Sequence, residues 1–203
     1  EESIYLVLEW VEEGVESNDF WKNLAMQLAK MHRTKDDKFG LRYPNYMGEL
    51  LQINTFCVKF SDFFVNNRLI VQVERAFNKG LLSKENLAKF ENLYLQIPSI
   101  FNDEKPSLVH GDLWRGNVLC NNQSQAVFID PAVYFGHREI DLAMSLLFGS
   151  FSQKFYDTYK EIYPIKKGFY ERKDIYNLYP LLIHLNLFGK IYKKNIEMII
   201  SKY

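Results

Sequence analysis

Cysteine is scarce in this chain. Cys57 and Cys120 are the only two in 203 residues, and they fit neither the paired spacing of a zinc site nor the dense bridging of a small secreted scaffold. A reducing compartment follows, and the expected location is cytoplasmic. Charge of one sign is also missing. The 25 Lys and Arg residues balance 25 Asp and Glu, so no global field draws the chain toward nucleic acid or an anionic membrane, and neither is an expected partner. Long apolar runs are absent too: Leu178 to Leu187 is broken by Pro180, His184 and Asn186 and is too short to span a bilayer. The ten glycines are scattered and include no GxGxxG, which removes that kind of phosphate-cradling loop. No internal repeat or low-complexity tract occurs.

What is present is a 47% hydrophobic composition, enough for one sizeable core and hardly enough for two domains. The sequence opens at Glu1, and Ile4 to Leu8 reads at once as an apolar strand, so the chain is expected to begin within a fold. Ser17, Asn18 and Asp19 then offer cap oxygens to a helix with Trp21, Leu24, Leu28 and Met31 on one face. Lys35 to Asn54 has no sustained period and reads as a long loop. A second helical block runs from Thr55 to Phe77, with Phe56, Phe60 and Phe63 expected in the core. Ser83 caps a third helix, which is expected to end before Pro98.

The pattern changes after Pro106. Ser107 to Val109, Asn117 to Cys120 and Ala126 to Ile129 are short β-type runs, the last two joined as a hairpin through Asn121 and Asn122. Helices return over Ile140 to Phe148, about Asp174 to Leu187, and after Gly189. The expected fold is mainly α with a small β element, placed where the polar residues cluster.

That cluster carries the chemistry. His110-Gly111-Asp112-Leu113-Trp114-Arg115-Gly116-Asn117 has the order His, x, Asp, with Asn five residues beyond the Asp, and Asp130 ends the second strand of the hairpin. A hairpin between them brings Asn117 and Asp130 together, where both can bind magnesium beside nucleotide phosphates. Asp112 is then free to accept a hydroxyl proton. Taken singly, these residues read as a turn, a strand cap and a strand terminator; together they follow the order of a kinase catalytic loop.

HGDLWRGN at His110 to Asn117 and FIDPAVYFGHREIDLAM at Phe128 to Met144 resemble the fructosamine kinase (ketosamine-3-kinase) family, relatives of the aminoglycoside and choline kinases. Weaker echoes lie at Tyr5 to Val11, Tyr46 to Thr55, Phe63 to Leu69 and Leu182 to Gly189. The resemblance implies a protein-kinase-like C-terminal lobe over residues 12–203, preceded by a hinge strand and linker over 1–11. It implies ATP and Mg2+ as cofactors, with adenine meeting the backbone of Glu9, Trp10 and Val11. By the same likeness Asp112 is the proton acceptor, His110 braces the loop, and Asn117 and Asp130 are the magnesium ligands. Asp141 would accept backbone hydrogen bonds from the loop; a first-turn acid facing a helix N-terminus is a reading of equal weight. Trp114 could wall in a sugar-like substrate or simply pack. His137, Arg138 and Glu139 could shape the acceptor pocket or form a cap and a surface ion pair.

The family's reaction, as the resemblance implies it, moves the ATP γ-phosphoryl group to the 3-hydroxyl of a ketosamine, either a small molecule or a glycated protein, and leads to release of the amine. The chain departs from the family in having no glycine-rich loop, strand lysine or partner glutamate ahead of Glu1. An N-terminal β-rich lobe is therefore expected to be absent from these 203 residues, which alone would be inactive. Another small-molecule kinase, of the aminoglycoside, choline or homoserine type, is the alternative within the enzyme class, and a non-catalytic pseudokinase or binding module is the alternative of a different class.

Overall fold

The computed structural model describes residues 5–203. Helix α1 (Asn18–His32) starts where Ser17 accepts a hydrogen bond from the Phe20 amide at 3.2 Å. Its apolar residues Phe20, Leu24 and Leu28 recur at four-residue spacing and are wholly buried. They pack on α6 (Gln153–Ile162), an element absent from the sequence reading, whose Phe155 and Tyr159 face inward. The core organises around α7 (Phe169–Phe188), which touches α3 (Val71–Asn78), α5 (Glu139–Met144) and α8 (Lys193–Ile200). Thirteen of its twenty residues are buried, so packing on several sides outweighs the backbone hydrogen bond that Pro180 cannot make.

Among the described residues, three two-stranded antiparallel ribbons lie around this helical body. β1 (Asn45–Met47) pairs with β2 (Leu50–Gln52), β3 (Ser107–Val109) with β6 (Tyr134–Gly136), and β4 (Val118–Cys120) with β5 (Ala126–Phe128). The fold is thus mainly helical with small β elements. No helix among the described residues is long and apolar enough to cross a membrane.

Several boundaries differ from the sequence expectation. The stretch expected as a loop before Asn54 contains the β1–β2 hairpin, which turns at Gly48 with φ +57°; three-residue strands are too short to set up a period. The helical block starts only at Phe60, as α2 (Phe60–Phe64), and passes through a π-helical turn, Val65–Ile70, before α3. Phe60 and Phe63 are buried as expected, but Phe56 precedes the helix and is exposed. Helix α4 (Lys84–Ile100) runs through Pro98 instead of ending before it; Pro98 stands on the exposed side of the last turn, where water can satisfy the carbonyl left without a partner.

The strand expected at Ile4 to Leu8 does not form over Tyr5 to Leu8, which are exposed; Ile4 lies outside the described residues. No strand lies beside this segment among the described residues, so there is no ladder to join. The chain docks on the β4–β5 hairpin at Glu12, whose carbonyl accepts from the Asn122 amide at 3.0 Å, and at Gly14, whose amide donates to the Cys120 carbonyl at 2.8 Å. A Cβ at Gly14 would come within 2.1 Å of the Asn121 carbonyl oxygen, so only glycine permits this approach to the β4–β5 hairpin.

Candidate active site

The segment between β3 and β4 is stitched to the segment between β5 and β6. The Ala132 amide donates to the His110 carbonyl at 2.9 Å, and the Ile129 amide donates to the Asn117 carbonyl at 3.1 Å. Gly111 adopts φ +82°, and a Cβ there would lie 2.1 Å from the Ala132 oxygen; both facts require glycine. His110 Nε2 lies 3.1 Å from the Ile129 carbonyl and so carries the proton, leaving Nδ1 to accept from the Asp112 amide at 3.3 Å. His110 therefore ties the loop to the end of β5, and burial holds its imidazole below the ordinary pKa.

Asp112, Asn117 and Asp130 converge on this seam. Asn117 Nδ2 donates to the Asp112 carboxylate at 2.9 Å, to the Asp112 carbonyl at 2.9 Å and, more weakly, to the Asp130 carbonyl at 3.5 Å. Burial pushes the Asp112 carboxyl up to about 6, against the hydrogen bond from Asn117 and with help from the charges of Asp130 and Asp141. Such a group is poised to take a proton near neutral pH. Asp130 sits at φ +49°, in the left-handed region that few non-glycine residues adopt, and its side chain is exposed. No group of three or more His, Cys, Asp or Glu residues able to hold a metal occurs among the described residues. The Asn117 amide oxygen and the Asp130 carboxylate suit a hard cation that takes its remaining ligands from water and phosphate.

Asp141 lies beneath the loop. Its Oδ2 accepts from the His110 amide at 2.7 Å and its Oδ1 from the Gly111 amide at 2.9 Å. His32 was missed in the sequence, yet its Nε2 approaches Asp141 Oδ2 at 3.0 Å with both side chains fully buried. The one available signal was a polar residue continuing the Leu24 and Leu28 stripe of α1.

Trp114 is 38% exposed at the rim. Its ring lies so close over Gly116 that a Cβ there would come within 2.3 Å. It meets Phe148 edge-on at 6.4 Å, and Phe148 in turn packs on His184 at 4.7 Å, giving an aromatic wall that the sequence did not announce. The β1–β2 hairpin is pinned to the segment beyond Asp130: Asn45 donates to the Val133 carbonyl at 2.8 Å and Gln52 to the Ala132 carbonyl at 3.1 Å. The buried guanidinium of Arg68, in the π-helical turn, donates to the Ile53 carbonyl and to Asn54 Oδ1 and fixes the hairpin's far end.

Three expected substrate residues lie elsewhere. His137, Arg138 and Glu139 are each at most 1% exposed. Glu139 holds Arg172 through two hydrogen bonds of 2.8 and 2.9 Å and accepts a third from Tyr176 at 3.1 Å. Arg138 grips Glu104 at 2.9 and 3.1 Å and donates to the Pro164 carbonyl at 2.6 Å. His137 is packed against Phe60 and Tyr176, and burial lowers its imidazole to about 4. With their polar atoms turned inward and their faces covered, these side chains brace the interior instead of forming an acceptor pocket. Arg115 is likewise engaged, with Glu16 and with the Val118 carbonyl. Glu9 and Trp10 are exposed and Val11 is half-buried, all on the extended segment that leads to Gly14.

The fold defines a class first. An ADP-bound aminoglycoside phosphotransferase superposes with a TM-score of 0.57 over 91% of this chain and 62% of its own, at 17% identity, so the fold is protein-kinase-like. The family follows from closer likenesses. The fructosamine kinase family matches residues 1–203, and the chain belongs to it. A protein of Enterococcus faecium named Probable ketoamine kinase is 38% identical over all of this chain and 73% of its own length. The crystal structure of a fructosamine-3-kinase candidate from Thermobifida fusca is 34% identical, with a TM-score of 0.90 over 95% of this chain and 67% of that one.

Proposed function

We propose that this protein acts as a ketosamine 3-kinase, using ATP to phosphorylate the 3-hydroxyl of a ribulosamine or fructosamine on a free amine or a protein lysine. The observation that carries the reading is Asp112 held against Asn117, with Asp130 on the adjoining strand end, in a member of the fructosamine kinase family. In the reaction the 3-hydroxyl oxygen bonds to the γ-phosphorus of ATP, the bond to the ADP oxygen breaks, and the hydroxyl proton passes to Asp112. Asp112 needs to be ionised for this, and its raised pKa makes it a stronger base than an exposed carboxylate. Asn117 and Asp130 would hold Mg2+, which when bound neutralises charge on the nucleotide phosphates. Trp114 would stack on or wall in the sugar. The backbone of Glu9 to Val11 would meet adenine. The resulting 3-phosphate decomposes and frees the amine, so the activity amounts to deglycation.

The test is an assay of the full-length polypeptide with ATP, Mg2+ and a ribulosyl- or fructosyl-lysine, following phosphate transfer and amine release. We expect both to occur. Asp112→Asn is expected to lower kcat by at least about 100-fold while nucleotide affinity stays within about threefold, since proton acceptance is lost and the nucleotide contacts are kept. Turnover confined to choline, homoserine or an aminoglycoside would reject the ketosamine assignment.

A further inference from the structure

Asp130 is held in a conformation that its local sequence disfavours. A residue before proline prefers extended backbone, yet Asp130 precedes Pro131 and adopts φ +49°. Non-glycine residues keep such a conformation only where the surroundings over-determine it. Here the constraint comes from the segment that follows. The Ala132 amide donates to the His110 carbonyl at 2.9 Å, and the Ala132 carbonyl accepts from Gln52 Nε2 at 3.1 Å. One residue on, the Val133 carbonyl accepts from Asn45 Nδ2 at 2.8 Å.

Gln52 is the member of this set with no freedom left. It stands opposite Asn45 in the β1–β2 register and faces inward, 1% exposed. Its second amide hydrogen goes to Asn45 Oδ1 at 2.8 Å, and its Oε1 accepts from the Tyr179 hydroxyl of α7 at 3.1 Å. Both hydrogens and the oxygen therefore have partners, and turning the amide over would set its oxygen against two acceptors. Asn45 Oδ1 also accepts from Asn54 Nδ2 at 2.8 Å, and Asn54 Oδ1 accepts from Arg68 at 2.8 Å. The Arg68 guanidinium lies over the rings of Tyr134 and Phe63 at 4.1 and 4.5 Å. Gln52, Asn54 and Arg68 are each at most 3% exposed, so water does not stand in for a lost partner. The row runs from the π-helical turn and α7 through the hairpin to the carbonyls just beyond Asp130.

We propose that Gln52 is a positioning residue for metal binding: by fixing the Ala132 carbonyl it keeps Asp130 beside Asn117 in its left-handed conformation. The inference rests on reading Asp130 as a ligand of Mg2+ in the proposed function. Removing a partner that orients a metal-binding group from outside lowers metal affinity by about 10- to 100-fold.

The test is calorimetric binding of ADP to the full-length polypeptide, in EDTA and across an Mg2+ titration. Gln52→Met keeps the length of the side chain and loses its donors. We expect it to raise the Mg2+ concentration that half-saturates the metal-dependent gain in ADP affinity by about 10-fold. ADP affinity in EDTA should stay within about twofold of the parent, because no nucleotide contact is removed. At saturating Mg2+, kcat should return to within about threefold of the parent, a split that general damage to the fold would not produce. Leu24→Ala, which empties a buried site in α1 instead, serves as the destabilised control and should leave the Mg2+ midpoint within about twofold. In an Asp130→Asn background Gln52→Met should add little further loss, since its effect runs through the same carboxylate. An unchanged midpoint in Gln52→Met, an equal rise in Leu24→Ala, or a full additional loss in the Asp130→Asn background overturns the proposal. Should Gln52→Met fail to fold, Asn45→Ala decides, because it removes the neighbouring tie to Val133: a raised midpoint with unchanged affinity in EDTA supports the role, and an unchanged midpoint rejects it. A parent protein whose ADP affinity ignores Mg2+ would overturn the metal assignment of Asp130 in the proposed function, and this proposal with it.

Discussion

Asp112 is held where its ionised form is penalised. Burial moves its pKa from an ordinary 3.8 to about 6, so the native protein binds that proton more tightly than the unfolded chain does. The penalty is fully present above pH 6 and disappears as the pH falls below 3.8. A shift of about two units corresponds to about 2 kcal/mol after allowance for partial solvent contact. Asp112→Asn carries no charge and can still accept from Asn117, so it should be about 2 kcal/mol more stable at pH 7.5 in EDTA. Denaturant titrations of both proteins should show this gap closing toward pH 4; a constant gap across that range would mean the carboxylate's charge is not its source. The candidate site residues could be picked out in the sequence because the proposed chemistry fixes their order. Under that proposal Asp112, Asn117 and Asp130 meet around metal and phosphate, and a loop, a strand and a hairpin allow few spacings that do so. His32 had no such signature, because its partner lies 109 residues away and only the tertiary fold joins them.

Elements were legible where one face repeats. Helix α1 shows its stripe plainly, as does α4, whereas the β1–β2 hairpin is too short to have a period and the π-helical turn at Val65–Ile70 has no propensity of its own. The helix opened by Glu139 misled for a different reason. His137-Arg138-Glu139 looks like a solvated cap, but α5 is entombed and its Glu139 is the buried counterion of Arg172 on α7. Removing one partner of such a pair leaves an uncompensated buried charge. Glu139→Gln is therefore expected to lower stability by about 3 kcal/mol, or roughly 10 °C in melting temperature for a domain of this size. KM for the acceptor should change by less than about twofold. A raised acceptor KM with an unchanged melting temperature would restore Glu139 to the substrate pocket.

At the scale of the whole molecule, one contiguous apolar cluster runs from Phe20 and Leu24 in α1 through Val109, Leu113 and Val118 around the candidate site to Leu182 in α7 and Ile200 in α8. A polar row from Arg138 through Tyr159 and His32 to Asp141 crosses the same interior. The ribbons that carry Asp112 and Asp130 therefore have no stability apart from the helices beneath them, since two-stranded ribbons this short do not persist alone. This predicts a single unfolding unit for the described residues. Leu24→Ala and Leu182→Ala each empty a fully buried site and should each cost about 3 kcal/mol. Each should move the entire denaturant transition of the 203-residue chain, read by tryptophan fluorescence and by far-ultraviolet circular dichroism, with the two probes still coincident. If the α1–α6 pair were a separate unit, Leu24→Ala would split the curve and leave the α7 signal behind. Coincidence in both variants would tie the geometry of the candidate site to the cohesion of the whole helical body.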